Sequence, residues 1–401
     1  MKGEKYRWVM LGLIWLCGLV QGMLIYTPRM MGNVIADEFG LAPEGIMIAA
    51  WKNLSLLVIA ICLIVAGILT DKYGVKIMAG IGCALMGIFG VLRAFSSNYA
   101  MLMLTTALLS VGCAIIYTCV PKTPVVWFSS DKLATTSGLA FSGLMVGGML
   151  GCVMPVSLFQ NNWEGCKSCF LVTGIIAIAV MVIWLIFAKE KRVEAKKGER
   201  LELSSIMRCR NPWLFLVALC LGYSAFYTLF TLGEDYFEPE GSAGMVMALC
   251  MLGYSVGLVL IGVVSDKIRT RKPIIMGLSL LSFVCFLSIA RETGWITGAI
   301  TSFFLGLGVG GMLPVGLALL AETKEIGPKR MASVSGIGLC FATLAGFLIP
   351  TYVSTYIYKQ QGYGLVWLFC GVLMLGVLPC GLALKEKRRR SRSNAKSPSL
   401  R

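Results

Sequence analysis

Apolar runs of about twenty residues alternate along the chain with short segments rich in Lys, Arg, Asp, Glu, Gly and Pro. That length matters because a helix rises ~1.5 Å per residue and needs about 20 residues to cross roughly 30 Å of hydrocarbon. Bounding each run by charge, Gly or Pro predicts helices at 8–28, 45–69, 77–95, 99–121, 134–158 and 168–188. A second set is predicted at 212–232, 242–265, 273–291, 295–320, 333–357 and 363–384. The sequence lacks the short alternating segments of a strand barrel. The pattern therefore predicts an all-α membrane protein with twelve transmembrane helices. Behind the basic stretch Met1 to Arg7, the apolar run from Trp8 to Thr27 has no A-x-A-like cleavage site, so it reads as a span rather than a removable signal.

Composition adds an exclusion. Of 401 residues, 57% are hydrophobic and 14% charged, with mean hydropathy +0.80, a balance that rules out a water-soluble domain of this length. Lys and Arg number 36 against 20 Asp and Glu, which would suggest nucleic acid if they formed one patch. They sit instead in the connections between apolar runs. An even number of spans puts both termini on one face, and placing them inside assigns 30 of the 36 basic residues to cytoplasmic segments. Lys72, Lys76, Lys122, Lys132, Lys267, Arg269, Arg271, Lys272, Lys329 and Arg330 fall there, leaving Arg29, Lys52, Arg93, Lys167, Arg291 and Lys359 outside or within the membrane. The segments Lys189–Asn211 and Lys385–Arg401 carry eight basic residues each.

These segments divide the chain into an N-terminal six-helix bundle at 1–188, a cytoplasmic linker at 189–211, a C-terminal six-helix bundle at 212–384 and a basic tail at 385–401. The tail follows a membrane helix directly, so it is expected to touch anionic lipid and hold its end inside rather than bind nucleic acid. The expected location is the cytoplasmic (inner or plasma) membrane, and the expected state is a monomer. Fifteen cysteines lie mostly inside apolar runs and there is no His, so neither a metal site nor a cofactor is expected. Cys166 and Cys169 fall in a predicted external connection, where a disulfide and chance spacing both remain open.

The two bundles share motifs at a nearly constant offset. Gly67-Ile-Leu-Thr-Asp71-Lys72 matches Gly262-Val-Val-Ser-Asp266-Lys267 at an offset of 195. Lys132-Leu-Ala-Thr-Thr-Ser-Gly138 matches Arg330-Met-Ala-Ser-Val-Ser-Gly336 at an offset of 198. Six helices per repeat bring both copies in from the same face, which defines a parallel pseudo-two-fold repeat about an axis along the membrane normal.

At these residues the sequence resembles the major facilitator superfamily, whose loop between helices two and three reads G-x-x-x-D-[RK]-x-G-[RK]-[RK]. Gly67, Asp71, Lys72, Gly74 and Lys76 fit that pattern, while Val75 departs from it. In the second half Gly262, Asp266 and Lys267 fit, and Arg269 stands where Gly is usual. The resemblance implies that these residues gate the cytoplasmic face, with Asp71 meeting the start of helix eleven and Asp266 the start of helix five. An aspartate there would also face the partial positive charge of a helix N-terminus. The alternative is that these residues only set topology and tight loops.

The resemblance also implies a cavity lined by helices one, four, seven and ten, with two, five, eight and eleven contributing. Gln21, Tyr26, Asn53, Tyr117, Tyr223, Tyr227 and Tyr254 are the polar candidates there. Lys52 stands out because a cation at mid-helix costs roughly 2.5–3.5 kcal/mol unless it meets a wet cavity or a partner. With Arg29 it would present positive charge to an anionic solute; the alternative is that both side chains snorkel outward, Arg29 toward Asp37 or Glu38. No carboxylate falls inside a predicted span: Glu234 and Asp235 sit at the outer end of helix seven and Glu322 at the inner end of helix ten.

Trp127-Phe128 followed by Ala134 and Gly138 resembles a loop of the monocarboxylate and oxalate-formate branches. The expected function is therefore secondary transport of a small organic anion such as a monocarboxylate by alternating access, with a coupling ion or exchange anion as a second partner. Export of amphipathic compounds, carriage of a neutral metabolite and a non-transporting membrane sensor are the alternatives. The sequence contains no nucleophile with a His base and no phosphate loop, so an enzyme is not expected.

Overall fold

The computed structural model describes residues 2–41, 46–129, 132–158, 162–191, 210–237, 242–268, 271–291, 294–321 and 331–384. Among these every regular element is helical. In chain order the long helices are α1 (Lys2–Tyr26), α2 (Ile46–Tyr73), α3 (Val75–Arg93), α4 (Tyr99–Trp127), α5 (Leu133–Leu158) and α6 (Trp163–Phe187). They continue as α7 (Arg210–Phe237), α8 (Ala243–Ile268), α9 (Lys272–Ile289), α10 (Trp295–Ala321), α11 (Met331–Leu348) and α12 (Thr355–Leu375). A 3-10 turn, Pro28–Met31, and a short helix, Gly32–Glu38, follow α1. A π turn, Ile349–Ser354, joins α11 to α12, and Val377–Ala383 closes the last span.

Eleven helical stretches are long and apolar enough to cross a bilayer, the last being 49 residues from Ser335 to Ala383. Continuous, that stretch would measure ~74 Å, more than twice the hydrocarbon thickness. It breaks at Gly362, whose φ of 75° and ψ of −176° are not helical, and so makes two spans. The total of twelve agrees with the hydropathy pattern. Ile61, Val65, Ile186 and Val372 are exposed on the outer surface, the inverse of a soluble fold and the arrangement lipid requires.

Helix neighbours repeat when the numbering advances by six: α1 packs on α5 as α7 packs on α11, α2 on α4 as α8 on α10, and α3 on α6 as α9 on α12. The halves meet where α5 crosses α8 and α2 crosses α11, which is the parallel two-fold arrangement that the matched motifs predicted. Glycine permits the tightest crossings. A Cβ at Gly147 would run into the Leu19 carbonyl oxygen between α5 and α1, and one at Gly138 into that of Leu258 between α5 and α8.

Several predicted boundaries move. Helix four does not stop at 121 but runs through Pro121 and Pro124 to Trp127, so Lys122 lies in a helix rather than a connection. Helix six begins at Trp163 instead of 168, because the Asn162 side chain accepts a hydrogen bond from the Gly165 N–H at 2.8 Å and caps the first turn. Cys166 and Cys169 consequently lie one turn apart inside α6, buried and unbridged. Beside them Arg93 is fully buried, donating to the Leu24 carbonyl at 3.2 and 3.3 Å and resting 4.2 Å over the Phe170 ring. Most of the expected linker, 192–209, the tail 385–401, and Arg269, Glu322, Lys329 and Arg330 lie outside the described residues.

Candidate functional site

Odd-numbered helices leave the face that carries the termini and even-numbered ones return to it, which gives the molecule a terminal face and an opposite face. On the opposite face Pro28 cannot donate an N–H, so α1 tightens into the 3-10 turn instead of continuing. That turn buries Arg29, which is 1% exposed. Its guanidinium carbon lies 5.3 Å from the Tyr26 ring and 5.2 Å from the Tyr227 ring, within the range of cation–π attraction. Nε and both Nη atoms have no hydrogen-bond acceptor among the described residues. The expected alternative, Arg29 snorkelling toward Asp37 or Glu38, is not what the structure shows.

Lys52, two turns into α2, is 4% exposed. Its Nζ lies 2.5 Å from Glu234 Oε2 and 3.8 Å from Asp235 Oδ2. Both carboxylates belong to α7, which extends to Phe237 rather than ending near 232. Glu234, at 5% exposed, is thus a carboxylate inside a span, contrary to the sequence expectation. Gly32 lines the pair so closely that a Cβ there would meet the Lys52 side chain. One turn of charge therefore joins the two halves.

Asn53 braces the same interface. Its Nδ2 donates to Thr231 Oγ1 of α7 at 3.0 Å and to Thr351 Oγ1 of the π turn at 3.2 Å, as well as to the Ala49 carbonyl at 3.0 Å. Toward the middle of the molecule the five candidate tyrosines come together and are buried. The Tyr26 and Tyr227 hydroxyls are 3.5 Å apart, the Tyr223 and Tyr227 rings stand edge to face at 5.7 Å, and the Tyr254 ring stands edge to face with Phe226 at 5.0 Å. Tyr117 of α4 is buried with them, its ring tilted against Phe141 of α5 at 6.4 Å. Phe226 and Phe230 fill the space between them. Gln21 is turned elsewhere, its amide donating to the Cys113 carbonyl of α4 at 3.3 Å.

The terminal face carries the gating candidates. Asp266, at the end of α8, accepts from the Ala134 N–H at 3.3 Å, the Thr135 N–H at 2.8 Å and the Thr135 hydroxyl at 2.7 Å. A carboxylate from the second half thus caps the first turn of α5 in the first half, where the helix dipole favours it. Nearby, a Cβ at Gly262 would press on the Ala134 carbonyl. Asp71 pairs with Lys122 at 2.9 Å, and Lys122 also donates to the Thr70 carbonyl at 2.7 Å; the loop before α11, which the sequence pattern assigns to Asp71, lies outside the described residues. Gly67 abuts Gly336 of α11.

Gly74, with φ of 91°, precedes α3. A Cβ there would strike the Glu190 carboxylate, which accepts the Lys76 N–H at 2.7 Å. Lys72 and Lys267 are exposed, Lys72 resting 5.1 Å from the Tyr73 ring.

Glu234, Asp235, Thr231, Thr351 and Lys122 carry no motif that singles them out. One signal exists: Tyr227, Thr231 and Glu234, at i, i+4 and i+7, share a helix face once α7 is extended by a turn.

Twelve helices in two parallel-repeated bundles, meeting through Asp266 at one face and through a buried charge cluster at the other, have the architecture of membrane transporters built from two repeated bundles. The chain belongs to the Major Facilitator Superfamily, whose sequence model matches residues 14–241 and again 231–400. It is 27% identical over 300 residues to a choline/ethanolamine transporter of Danio rerio, covering 67% of this chain and 63% of that relative's length. It is 23% identical over 324 residues to a hexuronate transporter of Bacillus subtilis, covering 74% of this chain and 75% of the relative. The crystal structure of the human organic anion transporter MFSD10 superposes with a TM-score of 0.70 at 15% identity, covering 94% of this chain and 99% of that one, a likeness of fold.

Proposed function

We propose that this chain is a secondary transporter that carries a small organic anion, a monocarboxylate foremost, across the cytoplasmic membrane by alternating access. Arg29 carries the reading. A guanidinium offers five N–H donors in a planar fork matched to a carboxylate, and this one is buried between two tyrosine rings with no acceptor among the described residues. Lys52, the cation that the sequence put first, is engaged by Glu234, which favours a role in joining the halves over one in holding solute. Tyr26, Tyr117, Tyr223, Tyr227 and Tyr254 supply the walls, and Asn53 the cross-brace. The Asp266 latch and its counterpart around Gly67, Asp71, Lys72, Gly74 and Lys76 close the terminal face, which the distribution of Lys and Arg makes cytoplasmic. The protein acts as a monomer, with bilayer lipid around it.

The Danio rerio relative's name favours a second reading, a quaternary ammonium solute caged by the tyrosines. Against it, the Tyr26 and Tyr227 faces already hold Arg29, and a second cation about 5 Å away would cost ~3 kcal/mol at an effective dielectric of 20. Counterflow in proteoliposomes decides between them. Lactate and D-glucuronate should exchange while choline and glucose do not, and Arg29→Gln should abolish exchange without loss of folded protein. Exchange of choline but of neither carboxylate would overturn the anion reading.

A further inference from the structure

Three segments of the first half meet at the terminal face: the start of α1, the end of α4 and the residues that follow α6. The Tyr6 hydroxyl donates to the Phe187 carbonyl and the Lys189 N–H to Met10 Sδ at 3.3 Å, which fastens the end of α6 to α1. Four rings fill the junction. Trp8 stands edge to face with Phe128 at 5.1 Å, and Tyr6 is tilted against Trp127 at 6.3 Å. Cations rest on three of them: Arg7 lies 5.5 Å from the Phe128 ring, Lys189 4.2 Å from Tyr6 and Lys191 5.4 Å from Trp127.

A contact with a ring face fixes a cation and leaves it N–H donors for an oxygen ligand. Lys189 and Lys191 are exposed, and Arg7 is half-buried. In sequence, Lys2, Lys5, Arg7, Lys189 and Lys191 stand against Glu4 and Glu190, while Asp131 and Lys132 after α4 cancel, so the junction carries a net charge of +3. Glu190 is moreover engaged with the Lys76 N–H at 2.7 Å. Beside the cations the surface turns apolar, with Trp8, Val9, Ile186 and Phe187 exposed. One turn past Trp8 on the same face of α1, Gly12 is exposed and a Cβ there would meet nothing within 4 Å, which leaves a notch in the helix. A net-anionic phosphate diester with acyl chains matches both parts of this surface. We propose that the junction of α1, α4 and α6 is a specific site for one anionic phospholipid of the leaflet at the terminal face. Arg7, Lys189 and Lys191 hold its phosphate, Trp8 sits at the level where headgroup meets hydrocarbon, and an acyl chain lies over Gly12. The site is independent of which solute is carried.

Native mass spectrometry of the full chain reads the site directly. Released from micelles holding equal amounts of phosphatidylglycerol and phosphatidylcholine with the same chains, the parent should retain one phosphatidylglycerol in preference. A Lys or Arg near a membrane surface contributes roughly fivefold to the binding of anionic lipid. The triple variant Arg7→Gln/Lys189→Gln/Lys191→Gln should therefore lower retention by about 100-fold and erase the preference. Changing Lys385, Lys387 and Arg388 of the basic tail to Gln should keep both, which separates the junction from the tail. Equal retention of the two lipids by the parent, a preference that survives in the junction variant, or its loss in the tail variant overturns the proposal.

Two further arms hold if the triple variant does not fold. Gly12→Leu keeps every cation and fills the notch, so it should weaken retention of long-chain phosphatidylglycerol; unchanged retention overturns the acyl placement. Excess glycerol 3-phosphate, which offers the phosphate without the chains, should leave the lipid bound. Displacement by it would make the junction a site for soluble phosphates and overturn the lipid assignment.

Discussion

Replacing Asp266 by Asn should open the terminal face. The carboxylate accepts three hydrogen bonds, two of them at 2.8 and 2.7 Å, across the boundary between the halves and at a helix N-terminus. A hydrogen bond to a charged group is worth about 1.5–3 kcal/mol net, and an anion in the first turn adds about 0.3–1 kcal/mol. Asn keeps one accepting oxygen, so the loss is one charge-assisted bond plus the dipole contribution, about 2–4 kcal/mol. At tenfold per ~1.4 kcal/mol, the balance moves roughly 30- to 700-fold toward the state in which α8 and α5 have separated.

Spin labels at Tyr73 and Ile268, exposed on the two sides of that boundary, read the change as a new long-distance population. Thr135→Val removes only the hydroxyl donor and leaves both N–H donors, so its effect should be smaller. Combined with Asp266→Asn it should add little, because the two groups share one interaction. An unchanged distance distribution in Asp266→Asn, or full additivity of the two substitutions, refutes the latch.

Three further outcomes follow from the same contacts. Lys52→Gln takes the ammonium away from the buried Glu234 carboxylate and should cost about 3–5 kcal/mol, whereas Lys52→Gln with Glu234→Gln should be near neutral, both measured as thermal unfolding of detergent-solubilised protein. Asn53→Val loses the bonds to Thr231 and Thr351 and should cost about 1–3 kcal/mol; an unaltered melting midpoint would show that the brace is dispensable. Gly147→Ala forces α5 off the Leu19 carbonyl at about 1–3 kcal/mol, while Gly277→Ala on α9, with open space at its Cβ, serves as the neutral control in the same melt.

The spans were legible because lipid leaves a chain few ways to satisfy its backbone, so hydropathy alone located all twelve. What it could not place were the polar ends. The first turn of α6, Trp163–Lys167, is too polar to read as membrane helix, and only the Asn162 cap marks where it starts. Pro121 and Pro124 read as a stop, yet α4 continues past them.

The repeat motifs picked out Asp266 because it lies in a short matched segment, and the family resemblance put it at the start of helix five, where Ala134 and Thr135 donate to it. Glu234 was hidden for a different reason: a Glu-Asp pair after an apolar run looks like a helix leaving the membrane, and its burial depends on Lys52 and Gly32, about two hundred residues earlier. The tyrosines, each unremarkable alone as an interface anchor, gain meaning only when α1, α4, α7 and α8 bring them together. Arg29 was visible as a cation, but the rings that hold it and the missing acceptor belong to tertiary structure.

The π turn at Ile349–Ser354 gives the second half a one-residue surplus in the middle of a membrane-crossing rod. Its Thr351 reaches Asn53 in the first half and its Ser354 reaches Thr228 in the second, at 3.2 and 3.0 Å, so both grips depend on the widened coil. Deleting one residue there would restore ordinary winding with the rod beyond it still in phase, and would take away the widened coil from which Thr351 and Ser354 reach in different directions. One of those grips would then have to let go.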